Sequence, residues 1–94
     1  MLEKDIEAKV CEYARSKNVL AYKFTSPARA AVPDRLFIRQ DGLVWFCEFK
    51  RQGQKPTEAQ KREHLRLQQH KVSVFVIDNV DDGKAMIDLM VMGC

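Results

Sequence analysis

Residues 32–50 read VPDRLFIRQDGLVWFCEFK, two apolar runs joined by a polar turn. The turn contains Asp41-Gly42, a dipeptide that is typical of tight β-hairpins. The pattern therefore predicts two antiparallel strands, over 33–39 and 43–50. Pro33 stands at the start of the first strand, where its missing N–H group is tolerated.

The second strand of this hairpin is apolar on both faces until its end, which indicates a central strand that is covered on both sides. At that end, Glu48 and Lys50 point to the same side of the sheet. A turn centred within the Asp-Gly pair places Asp34 roughly opposite Phe49. Charged groups in such a covered position are costly unless they have partners or a use.

The sequence on either side of the hairpin supplies the remaining elements. Leu65 is expected on the buried side of a second helix, and the apolar run over 72–77 is expected to be a buried strand. In chain order, the predictions are a helix over 3–17, a strand over 19–25, a loop over 26–31, the hairpin, a loop over 51–56, a helix over 57–69, a strand over 72–77, a turn over 79–83 and a short helix that holds Ala85, Met86, Leu89 and Met90.

This order, αβββαβα, predicts an α/β fold in which a central mixed β-sheet is flanked by helices. A chain of 94 residues allows one small domain, over 1–94, and its modest core favours a homo-oligomer. No apolar run approaches the roughly 18–20 residues that cross a bilayer, and the charged N-terminus lacks a signal-peptide core. We therefore expect no membrane partner.

Cysteine usage points to a reducing compartment. Cys11, Cys47 and Cys94 are odd in number and far apart, and none lies in a CxxC or Cys/His spacing. A zinc site or a disulfide framework is therefore not expected, and the predicted location is intracellular.

The net charge of +3 is unevenly distributed along the chain. Residues 50–71 hold seven Lys or Arg against two Glu, a net charge of +5, whereas residues 72–94 carry a net charge of −3. A basic segment directly after the Glu-Phe-Lys strand suits a phosphate backbone, and a solvated helix face is the alternative interpretation.

Two carboxylates beside a lysine are what a magnesium-dependent phosphodiesterase needs. Asp34 and Glu48 would hold Mg²⁺, which supplies Lewis acidity at the phosphate. Lys50 would orient or deprotonate the attacking water and offset developing negative charge. The alternative is that these residues form only a buried ion pair.

The chain resembles the PD-(D/E)xK nuclease superfamily through Pro33-Asp34 and Glu48-Phe49-Lys50. It is similar in particular to the VRR-NUC branch and its short stand-alone phage members. The resemblance covers nearly the whole chain and implies a restriction-endonuclease-like core. The stretches that carry it are VPDRLFI over 32–38, VWFCEFK over 44–50, KPTEAQ over 55–60 and VSVFVID over 72–78.

The resemblance also assigns residues to roles. It implies that Asp34 and Glu48 ligate Mg²⁺ or Mn²⁺, that the carbonyl of Phe49 is a further ligand, and that Lys50 is catalytic. Gln60 is implied as an active-site residue on the following helix.

Two of the implied site residues have competing interpretations. Thr57 and Gln60 also fit a capping box, in which the Gln side chain reaches back to the Thr N–H. Glu7, the best match to an acidic residue on the first helix of the family, is implied as a further metal ligand. It also fits ordinary solvated charge on a helix face.

The chain departs from the family at two places that often hold glycine. Ala31 stands shortly before Pro-Asp, and His70-Lys71 stands between the second helix and the next strand. A helix cap with positive φ must therefore be managed without glycine. His64 and His70 are expected to make surface DNA contacts or to have no role.

The function implied by the resemblance is metal-dependent endonucleolytic cleavage of DNA, with branched DNA such as a four-way junction as the expected substrate. Stand-alone members are expected to be homodimers, in the bacterial cytoplasm if the protein is of phage type. The alternatives are a nuclease-like module that binds DNA or a partner without cutting, and cleavage of RNA or single strands. Candidate phosphate contacts are Arg29, Arg35, Arg51, Lys55, Lys61 and Arg62.

Overall fold

The computed structural model describes residues 1–92 and has the predicted order αβββαβα. The third cysteine, Cys94, lies outside the described residues, while Cys11 and Cys47 are buried and free. The elements are α1 (Glu3–Ser16), β1 (Leu20–Lys23), β2 (Arg35–Ile38), β3 (Val44–Phe49), α2 (Glu58–Gln69), β4 (Ser73–Ile77) and α3 (Val80–Met92).

The strands form one mixed sheet in the order β1-β2-β3-β4, which confirms the predicted α/β class. β1 and β2 are antiparallel, as are β2 and β3, whereas β4 runs parallel to β3. The pairing of β2 with β3 differs by one residue from the prediction, because it places Asp34 opposite Glu48 rather than Phe49. The cause is the turn: Arg39 N–H donates to the carbonyl of Leu43 at 2.8 Å, so three residues rather than two form the loop.

One face of the sheet carries the hydrophobic core. Phe37, Trp45 and Phe49 are fully buried there and pack with the apolar residues of α1 and α3. The two helices approach closely at Gly83, where an added Cβ would lie 2.2 Å from Cγ2 of the buried Val10. A glycine at this position thus sets the spacing between α1 and α3.

The other face is only partly covered, which overturns two predictions. β4 is an edge strand in which Ile77 alone is buried, and Val76 is 43% exposed, so it is not the buried strand expected. Leu65 is 55% exposed rather than on the buried side of α2, whose buried residues are Glu63 and His64. The apolar run in β4 was misleading because an edge strand with one open face needs no continuous burial.

After α2, where the family often has glycine, the backbone of Lys71 adopts the left-handed conformation. Lys71 has a φ of 67°, and its N–H donates to the carbonyl of Gln68 at 3.0 Å. A lysine in this conformation carries a steric cost that glycine would avoid. Within residues 1–92, no helix is long and apolar enough to cross a membrane.

Candidate active site

Asp34 is held by two backbone contacts at the entrance to β2. Its carbonyl accepts a hydrogen bond from the N–H of Phe24 at 2.9 Å, which extends the pairing with β1. Its Oδ2 accepts a hydrogen bond from the N–H of Phe49 at 2.7 Å. The N–H and the carbonyl of one strand residue point to the same side, so the Phe49 carbonyl faces the side on which Asp34 lies.

Glu48 lies near the end of β3 and is 2% exposed. Its Oε2 accepts a hydrogen bond from Gln60 Nε2 at 3.1 Å and lies 3.7 Å from Lys50 Nζ. Its Oε1 lies 3.7 Å from His64 Nε2. Among residues 1–92, neither Glu48 Oε1 nor His64 Nε2 has a hydrogen-bond partner. The Glu48 carboxylate is therefore surrounded by three nitrogen-bearing side chains, those of Lys50, Gln60 and His64.

The electrostatics of the site oppose an ionised Glu48. Desolvation by burial, followed by the charge of Asp34, raises the pKa of Glu48 to about 8, while Lys50 acts in the opposite direction. Burial and then the charge of Lys50 lower the pKa of His64. Burial, with Asp34 again, raises the pKa of Glu3. The buried Glu48 carboxyl therefore holds its proton more strongly than an exposed glutamate does.

These donors fit a hard divalent cation. Asp34, Glu48 and the Phe49 carbonyl would offer oxygen atoms to such an ion, and the buried Oε1 of Glu48 lacks a hydrogen-bond donor within residues 1–92. In that same range, no group of three His, Cys, Asp or Glu side chains is arranged to hold a metal ion. A cation here would take two carboxylates and complete its shell with a carbonyl and water, the pattern usual for Mg²⁺.

The capping-box interpretation of Gln60 is confirmed, and the same side chain also contacts Glu48, while its active-site role stays a prediction. Its Oε1 accepts a hydrogen bond from Thr57 N–H at 2.9 Å, and its own backbone N–H donates to Thr57 Oγ1 at 3.2 Å, which completes the capping box. Its Nε2 donates to Glu48. One amide therefore caps α2 with its oxygen and contacts the site with its nitrogen.

The structure corrects the prediction for His64, which is 7% exposed and faces Glu48 rather than the surface. The sequence contained a usable signal, because residues four apart lie on the same helix face and His64 follows Gln60 at that spacing. His70 is exposed, and its Nδ1 lies 2.9 Å from the carbonyl of Arg66.

On α1, Glu7 is buried in an ion pair with Arg35, and Lys23 Nζ lies 4.0 Å from it. Glu3 lies one turn earlier on the same helix face, and its pKa is raised by burial and then by the charge of Asp34. The sequence did not single out Glu3. The metal role of Glu7 and the phosphate contact of Arg35 stay predictions, and the structure shows both side chains engaged with each other.

The other predicted phosphate contacts lie in a groove beside α2, on α2 itself and on the loop before it. Arg29 and Arg62 line a groove of about 270 Å³ between the 28–31 segment and α2, and Arg29 pairs there with Glu63 at 3.3 Å. Lys61 is exposed and pairs with Glu58 at 3.3 Å. The remaining two, Arg51 and Lys55, are exposed on the loop between β3 and α2. These positions leave cationic groups accessible to an anion.

Comparison with known proteins identifies similar chains. The chain is 43% identical over 79 residues to "Putative nuclease p44" of Acyrthosiphon pisum secondary endosymbiont phage 1, a match that covers 84% of this chain and 85% of the phage protein. No protein-family profile matches the chain.

Two solved structures share the fold. A VRR_NUC domain matches with a TM-score of 0.85 and 29% identity, covering 92% of this chain and 94% of that domain. A VRR_NUC domain protein matches with a TM-score of 0.73 over 94% of this chain and 86% of its own, and at 15% identity it shows the fold alone. The resemblance seen in the sequence is confirmed, and the chain belongs to the VRR-NUC family.

Proposed function

We propose that the protein is a metal-dependent nuclease that hydrolyses phosphodiester bonds in DNA. The observation that carries the proposal is the cluster of Asp34, Glu48 and Lys50 at the buried end of β3. The similarity to a phage protein named as a nuclease supports it. Asp34, Glu48 and the Phe49 carbonyl would hold Mg²⁺ or Mn²⁺, which supplies Lewis acidity to the scissile phosphate.

We assign to Lys50 the role of orienting or deprotonating the attacking water and of stabilising the phosphate. Lys50 is 7% exposed, so its ammonium group is held in one place by the surrounding protein. It offsets the charge of Glu48 and would stabilise negative charge that develops on the phosphate. Gln60 holds Oε2 of Glu48 and thereby orients a carboxylate that the cation requires.

Substitution of the carboxylates tests this mechanism. Asp34→Asn and Glu48→Gln should each reduce metal-dependent cleavage by at least about 100-fold, because each removes one anionic ligand. DNA binding in the presence of chelator should be kept. Glu12→Gln, an exposed change on α1, is the matched control and should cleave as the wild type does. Wild-type cleavage rates in Asp34→Asn would contradict the assigned metal role.

We propose branched DNA, such as a four-way junction, as the preferred substrate. A two-fold dimer presents two active sites to two strands, which suits paired incisions. The test compares a labelled junction, a linear duplex and the matched RNA with Mg²⁺, Mn²⁺ and chelator. Symmetric cuts confined to the junction are expected. Tight junction binding without cleavage in either metal would identify a binding module instead, and equal cleavage of RNA would shift the substrate class.

We propose that a second copy of the chain covers the open face of the sheet. The exposed apolar side chains on that face are Leu20 (49%) and Tyr22 (53%) on β1, Val44 (36%) on β3 and Val76 (43%) on β4. The half-buried Leu36 and Ile38 of β2 lie between β1 and β3 on the same face. A sheet face that exposes several apolar side chains favours association. Light scattering should give twice the chain mass, and Tyr22→Glu should shift it to the monomer. A monomeric wild type would contradict the dimer.

The bacterial cytoplasm stays the proposed location, supported by the phage relative.

A further inference from the structure

The helix α2 reaches the sheet with a polar rather than an apolar face. Its buried residues are Glu63 and His64, while Leu65 is 55% exposed. His64 Nε2 is buried and lies 3.7 Å from Glu48 Oε1, which is also buried. Within residues 1–92 neither atom has a hydrogen-bond partner. A buried polar atom without a partner is costly, so two of them facing each other need an explanation.

The geometry of α2 pairs one residue with each oxygen of the Glu48 carboxylate. Gln60 and His64 are four residues apart and therefore share a helix face. Gln60 Nε2 donates to Oε2 at 3.1 Å, while His64 Nε2 faces Oε1. Lys50 Nζ lies 3.7 Å from Oε2, the oxygen that Gln60 also contacts.

We propose that His64 is a positioning residue that donates from Nε2 to Oε1 of Glu48 when this carboxylate holds the metal. The inference rests on the proposed function and deepens it. A hydrogen bond to a carboxylate forms at about 2.7–2.9 Å, so the two atoms need to approach by less than about 1 Å. Together with Gln60, His64 would fix both oxygens of Glu48 and thus the direction in which it presents a lone pair.

Two observations favour positioning over direct ligation. No group of three His, Cys, Asp or Glu side chains within residues 1–92 is arranged around a common metal position. The other donors at the site are oxygens, which suit a hard cation better than imidazole nitrogen does. An imidazole that carries its proton on Nε2 presents that N–H to Oε1 of Glu48, which lies 3.7 Å away.

Metal binding without nucleic acid tests the inference on the full chain. Calorimetric titration with Mn²⁺ should show that His64→Leu binds about 10–100-fold more weakly than the wild type, the usual effect of losing a partner of a metal ligand. His64→Gln retains a donor of similar reach and should recover most of that loss. His70→Leu, which changes an exposed histidine, is the matched control and should bind as the wild type does.

A second measurement does not depend on the folding of a variant. In the Co²⁺-loaded wild type, a histidine bound to the metal gives a strongly shifted imidazole N–H resonance, and none from His64 is expected. Such a resonance from His64 would overturn the positioning role in favour of direct ligation. Wild-type Mn²⁺ affinity in a folded His64→Leu variant would overturn it as well.

The titration also separates this inference from the proposed function. Wild-type binding that is lost in Glu48→Gln and unchanged in His64→Leu would overturn the role of His64 alone. A wild type that binds neither Mn²⁺ nor Mg²⁺ would overturn the proposed metal centre, and the inference with it.

Discussion

Replacing Glu48 by glutamine tests how strongly the site opposes an ionised carboxylate. Glu48 is 2% exposed, and burial followed by the charge of Asp34 raises its pKa from 4.5 to about 8. The unfolded chain loses this proton near pH 4.5, whereas the folded chain keeps it up to about pH 8. The contribution of Glu48 to stability is therefore fully present below pH 4.5 and is lost as the pH rises to about 8.

The size of the loss follows from the gap between the two pKa values. Each pH unit within that window costs about 1.4 kcal/mol, so the free energy of unfolding should fall by about 3–4 kcal/mol between pH 5 and pH 8. This is a large share of the roughly 5–15 kcal/mol that holds a domain folded. Above pH 8 the carboxyl is ionised in both states, and its contribution becomes constant. The Glu48→Gln variant lacks this titration.

Urea unfolding in chelator, followed by circular dichroism from pH 5 to pH 9, measures the effect. Between pH 5 and pH 8, the free energy of unfolding of the variant should rise by about 3–4 kcal/mol relative to that of the wild type, and the difference should stay constant above pH 8. Glu12→Gln, on the exposed side of α1, should follow the wild-type curve. Saturating Mn²⁺ should reduce this difference between the variant and the wild type, because the metal binds the ionised form of Glu48 and thereby stabilises the folded wild type. A difference between Glu48→Gln and wild type that stays constant with pH would refute the reasoning.

Three further substitutions test other parts of the structure. Gly83→Ala places a Cβ 2.2 Å from Val10 Cγ2 and should lower the free energy of unfolding by about 1–3 kcal/mol in urea titrations; an unchanged value would mean that α1 and α3 can separate at no cost. Lys71→Gly relieves a residue at φ 67° and should raise the thermal midpoint by a few degrees, about 0.5–1 kcal/mol, whereas a lower midpoint would show that no strain is stored there. Arg62→Ala should weaken DNA binding in anisotropy titrations and reduce the slope of log K against log salt by about 1, and an unaltered slope would exclude a phosphate contact.

The order of elements could be predicted because each depends on local signals. The Asp41-Gly42 turn, the apolar run that forms β3 and the Thr57 cap act over a few residues, and each lies where the sequence predicts it. The predicted pairing of β2 with β3 was wrong by one residue, because the Asp-Gly dipeptide fits a hairpin loop of two residues as well as one of three. A one-residue slip of this kind changes which residue lies opposite Asp34.

The surroundings of the site were harder to predict because they depend on which faces are covered. Leu65 was expected to point inward, yet the face of α2 that reaches Glu48 carries Gln60 and His64 and is polar instead. His64 was also expected at the surface, yet it is 7% exposed. On α1, both Glu3 and Glu7 face the sheet, and only the fold decides that Arg35 takes Glu7 as its partner. Tertiary packing, rather than local pattern, determines each of these outcomes.

The position of α2 and the geometry of the site depend on the same polar contacts. α2 buries Glu63 and His64 rather than a stripe of apolar residues, so hydrophobic packing contributes little to holding it against the sheet. The Gln60 amide ties the cap at Thr57 to the carboxylate of Glu48 within a single side chain. Interactions in such a network are coupled, so a change at one end alters the other. Anything that reorients the Glu48 carboxylate should therefore also change how firmly α2 is docked, and amide exchange along α2 should slow when metal is added.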